Sequence, residues 1–291
     1  CGICKGKIIQ GTVDYGRHNE ETLTADEKQV GKALFCCASP LTDLVIECHE
    51  ISATKDIEIK TLPCRVHKLE LVAPDVMVIS LKLPTNQRLQ FLAGQYIDIL
   101  LKDGKRRSFS LANAPHDDEY LELHARNYPG GVFTEHVFTN MKVKDMLRFT
   151  GPLGSFFLRD TPEECSIIFL ASGTGFAPIK SILEHVFHQE GGRHRKRNMT
   201  LYWGARTKSD LYLADLADKW QREHDNFTFI PVLSEPLPSD NWQGRTGLVH
   251  QAVMHDFLSL EMHQVYACGV PVMVKAAYHD FITQCHLPRD A

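Results

Sequence analysis

The sequence predicts a multidomain chain: a cysteine-rich piece over 1–50, a linker over 51–64, an antiparallel β-barrel over 65–160 and an α/β parallel-sheet domain over 161–291. Three observations predict it. Cysteines crowd the start, strand-length runs divided by turn residues fill the middle, and strands alternate with helical patterns from 161 onward. A length of 291 residues suits two domains of ordinary size and a smaller piece.

In the first segment Gly2, Gly6, Gly11 and Gly16 mark turns, and a short helical stretch lies near Ala25–Val30. Residues 51–64 carry little hydrophobic periodicity and read as a linker. The strand-length runs that follow are Val66–Val72, Val76–Leu83, Gln95–Leu101, Arg107–Ala112 and Tyr120–Asn127. Pro84, Gly104 and Pro115 divide them, a spacing that suggests a small barrel. Val132–Asn140 is the helix expected there. Beyond it, Ser166–Ala171, Met199–Trp203, Phe227–Leu233 and Gln264–Ala267 read as strands. Ile179–His188, Leu211–Glu223, Val249–Leu258 and Val272–Cys285 read as helices, and the alternation implies a parallel sheet covered by helices.

Composition excludes several classes. A net charge of −4 gives no reason to expect nucleic-acid binding, and the basic run Arg193 to Arg197, after Gly191-Gly192, reads as a solvated loop. No apolar run approaches the roughly 18 residues of a membrane span, and no secretory signal is evident. Nine cysteines, an odd number, argue against a disulfide scaffold and for a reducing, cytoplasmic location. Cys1 opens the chain inside a motif and Arg289-Asp290-Ala291 closes it abruptly, so both ends are expected to be cut.

Cys1 and Cys4 form a C-x-x-C pair, which alone fits zinc, thiol redox or iron–sulfur chemistry. Gly2 narrows the choice, because small residues let backbone N–H groups approach cluster sulfurs. The pair resembles the second and third ligands of the C-x4-C-x2-C run of plant-type ferredoxins. Cys36 and Cys37 compete for the distal ligand. Leu34-Phe35-Cys36 followed by Pro40 resembles the L-x-C-x-x-x-P of ferredoxin domains fused to reductases, which favours Cys36. Cys1, Cys4 and Cys36 are therefore the expected metal ligands, with Cys48, Cys64, Cys165 and Cys285 as packed cysteines.

Arg107-Ser108-Phe109-Ser110 resembles the R-x-[YF]-S signature of the ferredoxin–NADP reductase superfamily. An arginine there can neutralise a flavin phosphate, Phe109 can pack against the flavin, and the Ser110 hydroxyl can reach the reacting ring edge. Gly130-Gly131-Val132-Phe133-Thr134 opens a helix whose free amides suit an anion, as in the loop that holds the flavin pyrophosphate in that superfamily. Thr134 is expected as an N-cap or early-turn hydroxyl. His124, Ala125 and Arg126, on the adjacent strand, are expected to approach the flavin.

Gly173-Thr174-Gly175-Phe176-Ala177-Pro178 stands between a strand and a helix, where glycines let backbone approach a pyrophosphate. Its form is that of the same superfamily. Cys268-Gly269-Val270-Pro271-Val272-Met273 resembles the family's C-G-x-P-x-M, which implies that Cys268, Gly269, Pro271 and Met273 belong to the cofactor site, with Cys268 touching the nicotinamide and Pro271 and Met273 shaping the next helix. Arg206, at another strand end, would lie by the adenosine half.

Together the motifs resemble iron–sulfur flavoprotein reductases of the CDP-6-deoxy-glucoseen reductase and phenol hydroxylase reductase type, whose N-terminal ferredoxin domain is a β-grasp, present here in part. The resemblance implies FAD, a [2Fe–2S] cluster and NADH or NADPH as cofactors, with hydride passing beside Cys268 to the flavin beside Ser110. Single electrons would then leave through the cluster to an oxygenase or dehydrase component. Two rival expectations remain: a flavin reductase or diaphorase serving free small-molecule acceptors, and an electron-storage module without turnover.

Overall fold

The structure is a computed structural model that describes residues 4–20, 22–47, 55–159, 162–189, 191–289 and 291. It divides into two compact units, Cys1–Asp56 and Ile57–Ala291.

The first unit runs β1 (Lys5–Gln10), β2 (Val13–Asp14), α1 (Ala25–Gln29), β3 (Lys32–Leu34), β4 (Ser39–Pro40) and β5 (Val45–Glu47). β1 pairs antiparallel with β3 on one side and β5 on the other, and β2 pairs with β4. α1 starts on a reciprocal cap: the Thr24 hydroxyl accepts from the Glu27 amide while the Glu27 carboxylate accepts from the Thr24 amide. A Lys5–Glu27 ion pair at 2.8 Å ties the helix to β1, above a small core of Leu23, Ala33 and Leu34.

The second unit opens with β6 (Lys60–Ala73), β7 (Val76–Lys82), β8 (Tyr96–Leu100), β9 (Arg106–Ser110), β10 (Leu121–Arg126), α2 (Val132–Thr139) and β11 (Met146–Leu153). These strands form an antiparallel sheet in the order β10-β7-β6-β11-β8-β9. A bridge between Leu111 and Leu123 joins the two ends of that order, closing the sheet on itself. Inward residues such as Val66, Ile79, Ile97, Leu123 and Phe149 fill the interior, and Phe133 and Val137 of α2 pack into it.

Two expectations change here. β6 begins at Lys60, so residues 60–64 are strand and not linker. Leu62, Cys64 and Val66 point inward while Thr61, Pro63 and Arg65 point out, a period of two that Pro63 and the short run disguise. β11 had not been singled out, although it pairs with both β6 and β8.

The remaining elements are β12 (Ser166–Ser172), α3 (Phe176–His188), β13 (Met199–Ala205), α4 (Ala214–Glu223), β14 (Phe227–Leu233), β15 (Arg245–Thr246), α5 (Val249–Asp256), β16 (His263–Cys268) and α6 (Pro271–Gln284). The strands form a parallel sheet in the order β15-β14-β13-β12-β16. β12 comes first in sequence yet lies between β13 and β16, so the winding reverses beside it, and ligands bind at the carboxyl ends of such switch points. The basic run corrects a further expectation. Arg197 is buried, and its Nε donates to the Cys165 carbonyl at 2.5 Å, because a guanidinium fork can satisfy carbonyls at the start of a strand. Among the described residues no helix is long and apolar enough to cross a membrane.

Candidate active site

On the barrel side, pairing with β8 sets β9 opposite Asp98 and Tyr96. The Ser108 hydroxyl donates to Asp98 at 2.6 Å, and Arg107 donates to the Arg106 carbonyl, leaving its head half-exposed. The Phe109 and Phe133 rings lie 5.3 Å apart, so two residues expected at the flavin meet each other, and Ser110 is half-buried at the end of β9. Gly130 has φ of +76°, a conformation that disfavours side chains, and a Cβ there would meet nothing within 4 Å. Gly131 is the N-cap of α2 and supplies no side chain, while Val132 is exposed. Thr134 sits in the first turn and donates to the Gly131 carbonyl at 3.1 Å, so it is an early-turn hydroxyl and not the cap. The turn therefore offers uncapped amides beside open space, which fits a phosphate.

On the parallel-sheet side, a 3₁₀ turn over Gly173–Gly175 joins β12 to α3. A Cβ on Gly175 would stand 2.1 Å from the Cys268 carbonyl oxygen, so the turn presses directly on the end of β16. Ser172 reinforces the contact, its hydroxyl accepting from the Val270 amide at 3.0 Å. Trp203 Nε1 donates to the Gly173 carbonyl at 3.1 Å while its ring stacks on Phe176 at 3.9 Å. Phe176, Ala177 and Pro178 are buried in the packing of α3, whereas Thr174 is half-exposed at the turn. Pro271 opens α6 and Met273 is buried beneath it, with Gly269 between β16 and that helix. Burial pushes the half-buried Cys268 thiol up to about 11, which keeps it neutral. Arg206 is exposed, with its Nε 4.0 Å from Asp210.

Barrel and parallel sheet meet along a polar seam. His124 is buried, with Nδ1 2.9 Å from the Tyr212 hydroxyl and Nε2 2.9 Å from Glu122. Arg126 bonds Asp75 at 2.7 Å and Asp210 at 2.9 Å, spanning the two halves. Ala125 faces the barrel core. Burial works against the Glu122 charge, but the bond to His124 and the Lys180 charge hold its carboxyl down at about 2. Burial also lowers His124 below its ordinary value. Glu122, Ser181, Tyr212, Asp75 and Asp210 escaped the sequence reading, and Lys180, which ends the family-like stretch 173–180, was given no role there; only the fold brings them together.

In the first unit the Cys4 and Cys36 Sγ atoms lie 2.9 Å apart, and Cys37 Sγ is 3.5 Å from Cys36. Hydrogen bonding with Cys4 and Cys37 pushes the Cys36 thiol up to about 12. Cys4 and Cys36 supply soft thiol donors of the kind an iron–sulfur group takes. Cys1, the other expected ligand, lies outside the described residues, as does Cys48. Among the described residues no group of three metal-ligating side chains is assembled.

Residues 63–158 match the oxidoreductase FAD-binding domain and residues 169–279 the oxidoreductase NAD-binding domain. The CDP-6-deoxy-L-threo-D-glycero-4-hexulose-3-dehydrase reductase of Yersinia pseudotuberculosis serotype I (strain IP32953) is 39% identical over 282 residues, 97% of this chain and 82% of the relative. The chain belongs to the ferredoxin–NADP reductase superfamily. Another superfamily member, the phenol 2-monooxygenase reductase component DmpP of Pseudomonas sp. (strain CF600), is 34% identical over 283 residues, 95% of this chain and 78% of the relative. Among solved structures the Amycolatopsis reductase GcoB matches with a TM-score of 0.80 and 34% identity, covering 99% of this chain and 85% of that one. In this superfamily member the barrel is thus the FAD-binding half and the parallel sheet the NAD-binding half.

Proposed function

We propose that this chain takes electrons from NADH or NADPH onto FAD and passes them singly, through a [2Fe–2S] cluster, to an oxygenase or dehydrase component. The work divides among 1–50 for the cluster, 65–160 for the flavin and 161–291 for the dinucleotide. The observation that carries the reading is the packing of the Gly173–Gly175 turn on Cys268 at the switch point, in contact with the flavin barrel through Arg126. The named reductase relatives support the same direction of electron flow.

Bound FAD supplies the conversion between two-electron nicotinamide chemistry and one-electron acceptors. Arg107 and the open amides of α2 would hold its phosphates, with Phe109 and Phe133 packing beneath. Ser110 would hydrogen-bond at the reacting ring edge. Cys268, neutral and half-buried, would orient the nicotinamide without attacking it. Amides of the Gly173–Gly175 turn would take the dinucleotide pyrophosphate, leaving Arg206 for the adenosine half. Cys1, Cys4 and Cys36 would hold the cluster. Free thiols at Cys4, Cys36 and Cys37 agree with a reducing, cytoplasmic location.

Anaerobic mixing of the FAD-loaded protein with NADH, and separately with NADPH, tests the reading. Loss of flavin absorbance within one turnover is expected with at least one donor, and no loss with either overturns it. Iron removal then separates the rivals: transfer to a protein acceptor should stop, while a diaphorase serving small acceptors would continue.

A further inference from the structure

We infer that Lys180 and Ser181 are positioning residues, which hold the dinucleotide cradle against the flavin strand and so set how the nicotinamide and flavin rings meet. The inference rests on the reductase reading above and gives a role to two residues to which that reading assigns none. Both lie on α3, just beyond the Gly173–Gly175 turn that opens it. Their partners lie just beyond Ser110, at the carbonyls of Ala112 and Asn113. Lys180 Nζ donates to the Ala112 carbonyl at 3.2 Å, and Ser181 Oγ donates to the Asn113 carbonyl at 2.7 Å. Two successive helix residues therefore grip two successive backbone carbonyls of the other half.

Lysine is an expensive choice for this place. Lys180 is 8% exposed and Ser181 is fully buried, and removing a charge from water costs several kcal/mol before pairing, by a rough general figure. An ammonium has three donors, and each has an acceptor: the Ala112 carbonyl, Glu122 at 3.2 Å and Glu184 at 3.0 Å. An apolar side chain would fill the same space with less desolvation, and buried ion pairs are weak contributors to stability. What the ammonium adds is direction. It bonds to backbone, which moves only with its strand, so α3 and the segment after β9 share one register.

The test uses the FAD-loaded full chain and three variants, Lys180→Met, Lys180→Arg and Ser181→Ala. Each is compared with the wild type in affinity for the oxidised form of the better donor, in the long-wavelength charge-transfer absorbance of the two-electron-reduced flavin with that oxidised dinucleotide bound, and in single-turnover reduction by the better donor. Lys180→Met should weaken the charge-transfer band and slow reduction by about 100-fold, the effect of a shift near 1 Å, with affinity nearly intact. Lys180→Arg keeps the charge but not the point donor and should fall between. Ser181→Ala should move band and rate in the same direction by a smaller factor. Unchanged band and rate in Lys180→Met, with only a lower melting temperature, overturn the inference. If Lys180→Met does not fold, Ser181→Ala decides by the same two readouts. A wild type that neither donor reduces overturns the reductase reading itself, whereas normal reduction in the wild type and all variants overturns only the positioning role.

Discussion

Two glycine turns open two helices in the same unit, and they differ in what the missing side chain is for. At Gly130 the space is open: φ is +76° and a Cβ would touch nothing within 4 Å. At Gly175 the space is full, with the Cys268 carbonyl oxygen 2.1 Å from where a Cβ would sit. The helices behind them differ as well. α2 buries Phe133 and Val137, with Thr134 and Phe138 half-buried, whereas α3 buries every residue from Phe176 to Leu183 and carries Lys180 into the seam. Glycine before a helix thus serves backbone conformation in the barrel, and close packing of protein on protein in the parallel sheet. The Gly173–Gly175 turn is built on an internal contact, and the Gly130 turn leaves open space.

The largest effect should come from Gly175→Ala. Its methyl must displace backbone, so stability should fall by about 1–3 kcal/mol, the usual cost of overpacking, and dinucleotide affinity should fall with it. A thermal melt and an NAD⁺ titration check this, and a variant as stable as the wild type would break the contrast. Next in size is Cys268→Ala, across the same contact. Reduction of the flavin should slow by as much as about 100-fold while affinity stays nearly intact, since a small neutral group there orients more than it binds. Unchanged reduction with a lowered melting temperature would make Cys268 a packing residue only.

Acid should act on the seam behind α3. His124 is depressed by burial, so below about 6.5 the unfolded chain takes up a proton that the folded one resists, and stability declines as pH falls. Glu122 is depressed to about 2, so its contribution is whole above about 4.5 and is lost as pH falls toward 2. Melting temperature against pH should therefore drop in two stages, and His124→Gln should shrink the upper one, which it shares with the burial-depressed His116, His185, His224 and His263. A single stage in the wild type would count against this assignment. The smallest effect belongs to Gly130→Ala, about 1–2 kcal/mol from left-handed backbone with no collision. If its cost exceeds that of Gly175→Ala, the comparison between the turns is wrong.

Much of this was legible locally. Strand–helix alternation from 161 onward, the short β runs before it, and the turns at Gly130 and Gly173 are properties of neighbouring residues, because period and turn chemistry act over a few positions. β11 and the start of β6 were not legible, since Pro63 and Gly151-Pro152 interrupt the alternation that pairing with neighbouring strands restores. Arg197 misled as part of a basic run, because burial of one arginine depends on carbonyls supplied by Cys165, far away in sequence.

The chain's own order of residues determined the kinds of cradle present, since each needs only glycines, a helix start and a few side chains within one short segment. Tertiary structure alone decided that the Gly173–Gly175 turn meets Arg126 of the barrel, and what locks that contact. Glu122 and His124 come from β10, Lys180 from α3 and Tyr212 from the connection before α4, three places far apart in sequence. Their bonds form only when the barrel and the parallel sheet meet, and burial there is what makes a charge expensive enough to demand a specific partner.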